Sequence, residues 1–160
     1  MKRLFAILLC LSFLLCGCQK QNTAKFYYER NQFQYGVEDG VFVAEERDLT
    51  GVNPELAFLL NLYLLGPHSA DYKMPFDGKA KLLAIEKAES LLTLTFTESS
   101  LFLSDMQFTL SCVSLAMTCM ELTDAECITI QSGNRVMSLT RDVLTLYDSG
   151  LPTAATEGVS

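Results

Sequence analysis

Residues 105–122 read DMQFTLSCVSLAMTCMEL, and this segment gives the clearest folding signal in the chain. Polar side chains recur every three or four residues along one narrow stripe, at Gln107, Ser111, Ser114, Thr118 and Glu121. At about 100° per residue, the apolar side chains of two further stripes cover roughly two-thirds of a helix circumference. A helix that lies alone on a sheet needs less apolar surface. We therefore expect this helix to contact the sheet and a first helix beside it, with an oligomer contact as the alternative.

Short β-prone segments lie around this helix. Residues 82–86 and 91–97 predict a hairpin, and the second segment alternates between apolar residues and Thr93, Thr95 and Thr97. Ile128 and Ile130 predict a third strand that ends at Gly133. Residues 26–28 and 41–44, with turn residues between them, predict a further strand pair. The threonine side of residues 91–97 is expected to face solvent, or else to offer an edge to a partner strand.

A first helix is predicted from Asn53 to about Leu65. Asn53 is a capping residue, Pro54 suits the first helical position and Glu55 favours the positive end of a helix. Residues 139–147 predict a last short element. The fold class is therefore predicted to be α+β, with two helices packed on one face of a small three-stranded sheet and an additional N-terminal strand pair.

The N-terminus has the pattern of an export signal. A basic start precedes an apolar run, residues 4–15, which is shorter than the ~20 residues that a membrane-spanning helix needs. The run ends in Leu15-Cys16-Gly17-Cys18, which resembles the lipobox of bacterial lipoproteins. That resemblance implies a signal peptide over residues 1–17, cleavage before Cys18 and a diacylglyceryl group on the Cys18 sulfur. An uncleaved anchor or a plain secretory signal is the alternative.

Charge limits the classes of partner. Without residues 1–17 the chain carries 10 basic and 19 acidic side chains, a net charge of −9. Nucleic acid is a poor match for such a protein, because its affinity rests on Lys and Arg that neutralise phosphates. Anionic lipid surfaces are disfavoured for the same reason. The lipid on Cys18 is therefore expected to hold the chain at the extracytoplasmic face of the cell membrane.

The cysteines do not form a disulfide framework. Cys112, Cys119 and Cys127 are the three that follow the predicted lipidation site. Cys112 and Cys119 are separated by about 10 Å along the predicted helix, which is too far for a disulfide. At most one disulfide is possible, from Cys127 to one of the other two. Buried free thiols are the expected state, since free Cys behaves as a small core residue.

Two motifs carry a resemblance to a known domain. The sequence LYLLGP (residues 62–67) closes the first helix, and PFDGKAKLL (residues 75–83) leads into the hairpin. A Ser-rich stretch and the long helix follow. In these features residues 26–147 resemble the GerMN domain, named for a sporulation and germination lipoprotein of Gram-positive spore-formers. The chain departs from the best-known member by having one copy instead of two and by carrying thiols in the long helix.

The resemblance implies a role without catalysis. It implies the fold of the ring-building motif, a small α+β module that packs side by side in envelope assemblies. We therefore predict an interaction or assembly module of the cell envelope, with an envelope protein or further copies of the chain as partner. A role in sporulation or germination is implied by analogy alone. The predicted organisation is a tether at residues 18–25, a domain at 26–147 and a disordered tail at 148–160.

Catalytic and metal-binding patterns are weak. His68 could form a thiol–imidazole pair with Cys112 or Cys119, but an apolar helix face raises a thiol pKa and lowers its reactivity. A single His cannot build a His-rich zinc site. Ser99-Ser100 has no Gly-x-Ser-x-Gly context, and Ser104-Asp105 is interpreted as a helix cap. We predict no enzyme, no cofactor and no metal site, and a thiol-dependent enzyme is the alternative.

Two other sets of residues are candidate binding sites. Glu45, Glu46 and Asp48 could bind a divalent cation, but three neighbouring carboxylates are usually a solvated edge. A solute- or peptidoglycan-binding lipoprotein is the alternative function, and it predicts a concave pocket lined by aromatic side chains. The candidates for that pocket are Phe26, Tyr27, Tyr28, Phe33 and Tyr35.

Overall fold

The computed structural model of the protein describes residues 23–32, 40–51, 54–98 and 103–148. In chain order the elements are β1 (Thr23–Glu29), β2 (Phe42–Asp48), α1 (Leu56–Leu64), a tight turn (Pro75–Gly78), β3 (Leu82–Ala88), β4 (Leu91–Phe96), α2 (Asp105–Leu122), β5 (Cys127–Ser132), β6 (Arg135–Thr140) and α3 (Arg141–Asp148). The α+β class is confirmed. The predicted signal peptide and the predicted tail after Asp148 lie outside the described residues.

The larger sheet has four strands in the order β3-β4-β5-β6. The predicted hairpin of β3 and β4 is confirmed, and β5 lies parallel to β4. Parallel neighbours need a long crossover connection, and α2 supplies it. The inner strands present Leu92, Leu94, Ile128 and Ile130 to the core, and none of these four side chains is exposed.

The prediction of a three-stranded sheet is wrong, because β6 pairs antiparallel with β5. Gly133 is not the end of the sheet but the first residue of a two-residue connection, with a φ of 59°. A Gly-Asn pair between alternating segments is a typical hairpin signal. After the turn, Met137 and Leu139 point to the buried side, while Val136 is 59% exposed.

The predicted N-terminal strand pair is confirmed as the antiparallel sheet of β1 and β2. Strand β1 begins at Thr23, so the last three residues of the predicted tether belong to the domain. Within β1, Ala24, Phe26 and Tyr28 are buried and the residues between them are exposed or half-buried. This period of two places one face of the small sheet against the core.

Helix α2 is buried around most of its circumference in its middle turns. It begins at Asp105 behind a capping box, in which the Ser104 hydroxyl accepts from the Gln107 backbone N–H and the Gln107 side chain accepts from the Ser104 backbone N–H. The helix contacts β5 and β6 of the large sheet and also lies along β1. The expectation that α1 would cover its second side is therefore only partly right. Strand β1 covers most of it, and Tyr63 of α1 reaches it at one point.

Helix α1 begins at Leu56, two residues after Pro54, and Asn53 lies outside the described residues. Its buried side chains are Leu59, Leu60 and Tyr63. Gly66 follows the helix with a φ of 98°, a backbone conformation that favours glycine. A Cβ at this position would lie 2.0 Å from the sulfur of Met74. The Gly66-Pro67 motif therefore ends α1 where the loop before β3 crosses it.

Candidate functional site

The predicted lipidation residue, Cys18, and the signal peptide before it lie outside the described residues. None of the helices in the part of the chain that the structure describes has the length and hydrophobicity that a bilayer crossing requires. Lipidation of Cys18 stays a prediction from the sequence.

The two halves of the candidate thiol–imidazole pair have opposite environments. The His68 side chain is 75% exposed, its Nδ1 lies 3.7 Å from Glu45 Oε1, and its backbone N–H donates to Glu45 Oε2. Cys112 and Cys119 are both completely buried. Within the described ranges no hydrogen bond joins His68 to a thiol. The structure therefore does not bring the imidazole and the thiols together.

The described cysteines are free, including the half-buried Cys127. Burial raises the pKa of Cys112 to about 12, and the nearby Arg135 opposes this shift only in part. Burial also raises the pKa of Cys119. Only a thiolate is an effective nucleophile. Cys112 and Cys119 are therefore placed as core residues, whereas the absence of any enzymatic activity stays a prediction.

The three candidate carboxylates point to different partners. Glu45 pairs with Arg47, Glu46 lies 4.0 Å from Lys25, and Asp48 accepts hydrogen bonds from Thr50. Strand alternation separates Glu45 from Glu46 and Asp48, because neighbouring residues of β2 face opposite sides of the sheet. Among the described residues no cluster of three His, Cys, Asp or Glu side chains has the geometry of a metal site.

Arg47 is the buried charged residue that the sequence analysis missed. Only 6% of its side chain is exposed. Its guanidinium donates to the carbonyls of Leu62 and Gly66, at 3.2 and 2.6 Å, and to the hydroxyl of Tyr28 at 3.0 Å. The guanidinium also forms an ion pair with Glu45, whose Oε1 lies 2.8 Å away. Arg47 thus ties β2 to the C-terminal end of α1.

Glu45 completes this network. Burial alone would raise the pKa of its carboxyl, but hydrogen bonds from the Arg47 side chain and the His68 backbone, with the nearby positive charge, hold that pKa below its ordinary value. The sequence signal for this network is Arg47, which lies between acidic residues on a strand. Nothing local distinguished it from a solvated edge, because the groups that bury it come from α1 and β1.

The candidate aromatic pocket is divided between the core and the surface. Phe26 and Tyr28 are buried, and the ring of Tyr28 stacks on that of Tyr63 with centroids 5.0 Å apart. Tyr27 is half-buried, with its backbone N–H bonded to Thr118. Phe33 and Tyr35 lie outside the described residues. Phe26 and Tyr28 therefore serve the core and cannot line an open binding pocket.

The structure contains a groove that the sequence analysis did not predict. It has a volume of about 510 Å³ and lies between α1 and the start of β3. The principal lining residues are Phe58, Leu62, Leu65, Ala80, Lys81 and Leu82. The groove forms where two elements meet, so no single segment of the sequence indicates it. Its only sequence signal is that the apolar residues of α1 exceed those needed to pack the helix.

The strained turn of Pro75–Gly78 forms one end of this groove. Phe76 and Asp77 have φ values of 50° and 53°, which are rare for residues with a side chain. The turn is fixed from inside, since the ring of Phe76 is buried against Phe96 and its backbone N–H donates to Ser111 Oγ at 3.2 Å. Gly78, which lines the groove, ends the turn.

Comparison with known proteins gave a similarity of fold. No protein-family model and no curated protein sequence matches the chain. Among solved structures, the tandem GerMN domains of the sporulation protein GerM from Bacillus subtilis match with a TM-score of 0.51 and 18% sequence identity. The match covers 72% of this chain and 40% of that one. At this identity the likeness concerns the fold alone, and it confirms the expected resemblance: the chain has a GerMN-like fold.

Proposed function

We propose that this chain is a membrane-tethered, extracytoplasmic lipoprotein whose domain makes protein–protein contacts in the cell envelope. The GerMN-like fold carries the proposal, because the similar structure belongs to a sporulation protein. The present chain spans 40% of that structure, so it corresponds to a part of it. A role in sporulation or germination is the finer form of the proposal.

The tether rests on the N-terminal sequence. A basic start, a short apolar run and Leu15-Cys16-Gly17-Cys18 together have the pattern of a lipoprotein signal. Two or three acyl chains, at about 0.8 kcal/mol per buried methylene, would hold a small domain durably. The net charge of −9 after residue 17 gives the domain no electrostatic attraction to anionic lipid.

The arrangement of reactive groups favours a surface role. The imidazole of His68 faces solvent while Cys112 and Cys119 are buried, and Glu45 is engaged by Arg47. Catalysis needs such groups to converge around a reacting atom. Within the described ranges, the candidates named from the sequence are used for packing and for connections between elements.

The tether is tested by fatty-acid labelling in cells that produce the chain. An alkyne-bearing fatty acid should label the wild-type protein and fail to label Cys18→Ala. Cys16→Ala is the matched control, because Ala commonly occupies that lipobox position and labelling should persist. Labelling of Cys18→Ala at the wild-type level would show that Cys18 is not the lipidated residue.

The contact function is tested by crosslinking in intact cells. A lysine-reactive crosslinker should convert part of the wild-type chain into species of higher mass that contain an envelope protein or further copies. The Cys18→Ala chain, which lacks the tether, should give a lower yield of the same species. Recovery of the wild-type chain as a monomer alone, at crosslinker levels that capture known envelope complexes, would contradict the proposal.

A further inference from the structure

The groove between α1 and β3 is lined by large hydrophobic side chains that are exposed to solvent. Phe58 is 52% exposed and Leu65 is 76% exposed, although both are large hydrophobic residues. Met74, which touches the position that a Cβ on Gly78 would occupy, is 42% exposed. Scattered apolar residues are normal on a protein surface, but a contiguous patch around a concave groove is typical of a binding site.

The charge inside the groove is positive. Lys81 is the only charged residue among the described lining residues. It is exposed, and no residue in the described part of the chain forms an ion pair or a hydrogen bond with its ammonium. Ion pairs are formed, by contrast, by six other basic side chains: Lys25, Arg47, Lys73, Lys87, Arg135 and Arg141. In a chain with many more acids than bases, an unpaired ammonium beside apolar side chains favours a partner that brings a carboxylate.

The edge of the large sheet lies beside the same groove. Strand β3 is an end strand, paired with β4 on one side and with no strand on the other within the described residues. Its register with β4 shifts between Leu82 and Ala84, next to the groove. An edge strand presents backbone donors and acceptors that suit an added extended chain. A small apolar ligand would leave these groups unused.

We propose that the groove binds an extended segment of a partner protein that carries apolar side chains and at least one Asp or Glu. The segment lies along the start of β3, its apolar side chains contact Phe58 and Leu65, and its carboxylate pairs with Lys81. This inference rests on the proposed function, since it names the surface that makes the contact and the chemistry of the partner.

Site-specific photocrosslinking in intact cells tests the proposal. A benzoyl-phenylalanine in place of Phe58 should capture a protein, and mass spectrometry of the adduct should place the captured residue within a segment that contains Asp or Glu. The same probe in place of Met106 on α2 and Val136 on β6 is the control, because these residues are 71% and 59% exposed on other elements. The controls should give little of this adduct.

Charge substitutions at Lys81 test the role of the ammonium. Lys81→Glu should lower the yield of the Phe58-site adduct about tenfold or more, because like charges then meet in the groove. Lys81→Arg keeps the charge and should keep the adduct. Changing the captured acid to Lys should restore the adduct with Lys81→Glu. Lys81 is exposed, so both variants are expected to fold, and a urea unfolding curve checks this.

Several outcomes would overturn the inference. They are an adduct that Lys81→Glu does not reduce, an adduct to a second copy of this chain or to lipid, and no adduct at the Phe58 site. If protein adducts arise only from the Met106 or Val136 sites, the envelope-contact function stands and the groove proposal fails. If neither these three sites nor the lysine-reactive crosslinker captures a protein, the proposed function fails with it.

Discussion

The domain contains two rows of small hydroxyl side chains that have opposite environments. The helix row on α2 consists of Ser111, Ser114 and Thr118, and the strand row on β4 and just after it consists of Thr93, Thr95 and Thr97. Both rows follow the period of their element, and both alternate along the chain with apolar residues. Ser114 and Thr118 are nevertheless buried, whereas every member of the strand row remains partly exposed.

Each hydroxyl of the helix row bonds a different part of the chain. The partners are the Phe76 N–H at 3.2 Å for Ser111, the Tyr63 hydroxyl at 2.8 Å for Ser114, and the Tyr27 N–H at 2.9 Å for Thr118. The row thus connects the tight turn, α1 and β1 to one helix. The strand row lies on the sheet side opposite the buried Leu92, Leu94 and Phe96. A row of hydroxyls therefore indicates a surface that needs hydrogen bonds, and these come from water or from another segment.

The largest difference between the rows is expected for the same substitution in each. Thr118→Asp should destabilise the domain by about 3 kcal/mol or more, because it buries a carboxylate without a countercharge. Thr95→Asp should cost about 1 kcal/mol or less, since that side chain reaches water and pays mainly the low strand propensity of Asp. Urea unfolding of both variants measures the free energies. Equal losses would mean that the two rows do not differ in burial.

A smaller effect is expected from removing one hydroxyl of the helix row. Ser114→Ala should cost about 1–3 kcal/mol, because the buried Tyr63 hydroxyl loses its partner. Tyr63→Phe in the Ser114→Ala background should add little to this loss, since it removes the hydroxyl that Ser114→Ala has already deprived of its Ser114 partner. A double variant whose loss equals the sum of the two single losses would show that the two hydroxyls are not coupled.

Arg47 and Glu45 on β2 also connect distant segments, but through charged groups. The free energy of unfolding should therefore depend on pH. The Glu45 pKa is lowered from its ordinary value of 4.5 in the folded state. The stabilisation by its carboxylate is therefore fully present above pH 4.5 and is lost as the pH falls through the lower folded-state value. Glu45→Gln should be less stable than wild type at pH 7, and the difference should shrink at pH 3. Urea unfolding at both values measures it, and a difference that stays constant would contradict this role of Glu45.

The contrast between the rows also explains which features the sequence predicted. Helix α2 and the β3–β4 hairpin were found because their periods are long and regular. Strand β6 is not predicted if Gly133 is taken as the end of the sheet, although Gly133-Asn134 is a hairpin signal and the residues after it alternate. Local pattern thus identifies elements well and can misjudge a single turn residue.

The burial of the helix row could not be predicted from local pattern. Thr118 is bonded by Tyr27, 91 residues away along the chain. Arg47 is buried by groups that belong to α1 and β1, and the groove is formed by α1 and β3 together. The sequence around each of these residues is also compatible with solvent exposure. The motifs at residues 62–67 and 75–83 indicate the right fold because they lie where distant segments of the chain contact each other.

The smallest effect is expected on the open side of the sheet. Thr129 Oγ1 and Ser138 Oγ lie 2.9 Å apart across β5 and β6 at the surface, where water can replace either partner. Thr129→Ala should therefore change the free energy of unfolding by no more than about 0.5 kcal/mol. Thr118→Ala is the matched substitution in the helix row, and it should cost about 1–3 kcal/mol because it leaves the Tyr27 N–H without its acceptor. If Thr129→Ala were equally costly, the open side of the sheet would have to be covered in solution. Because association makes the apparent stability depend on protein concentration, unfolding curves at two concentrations would show whether a second copy provides the cover.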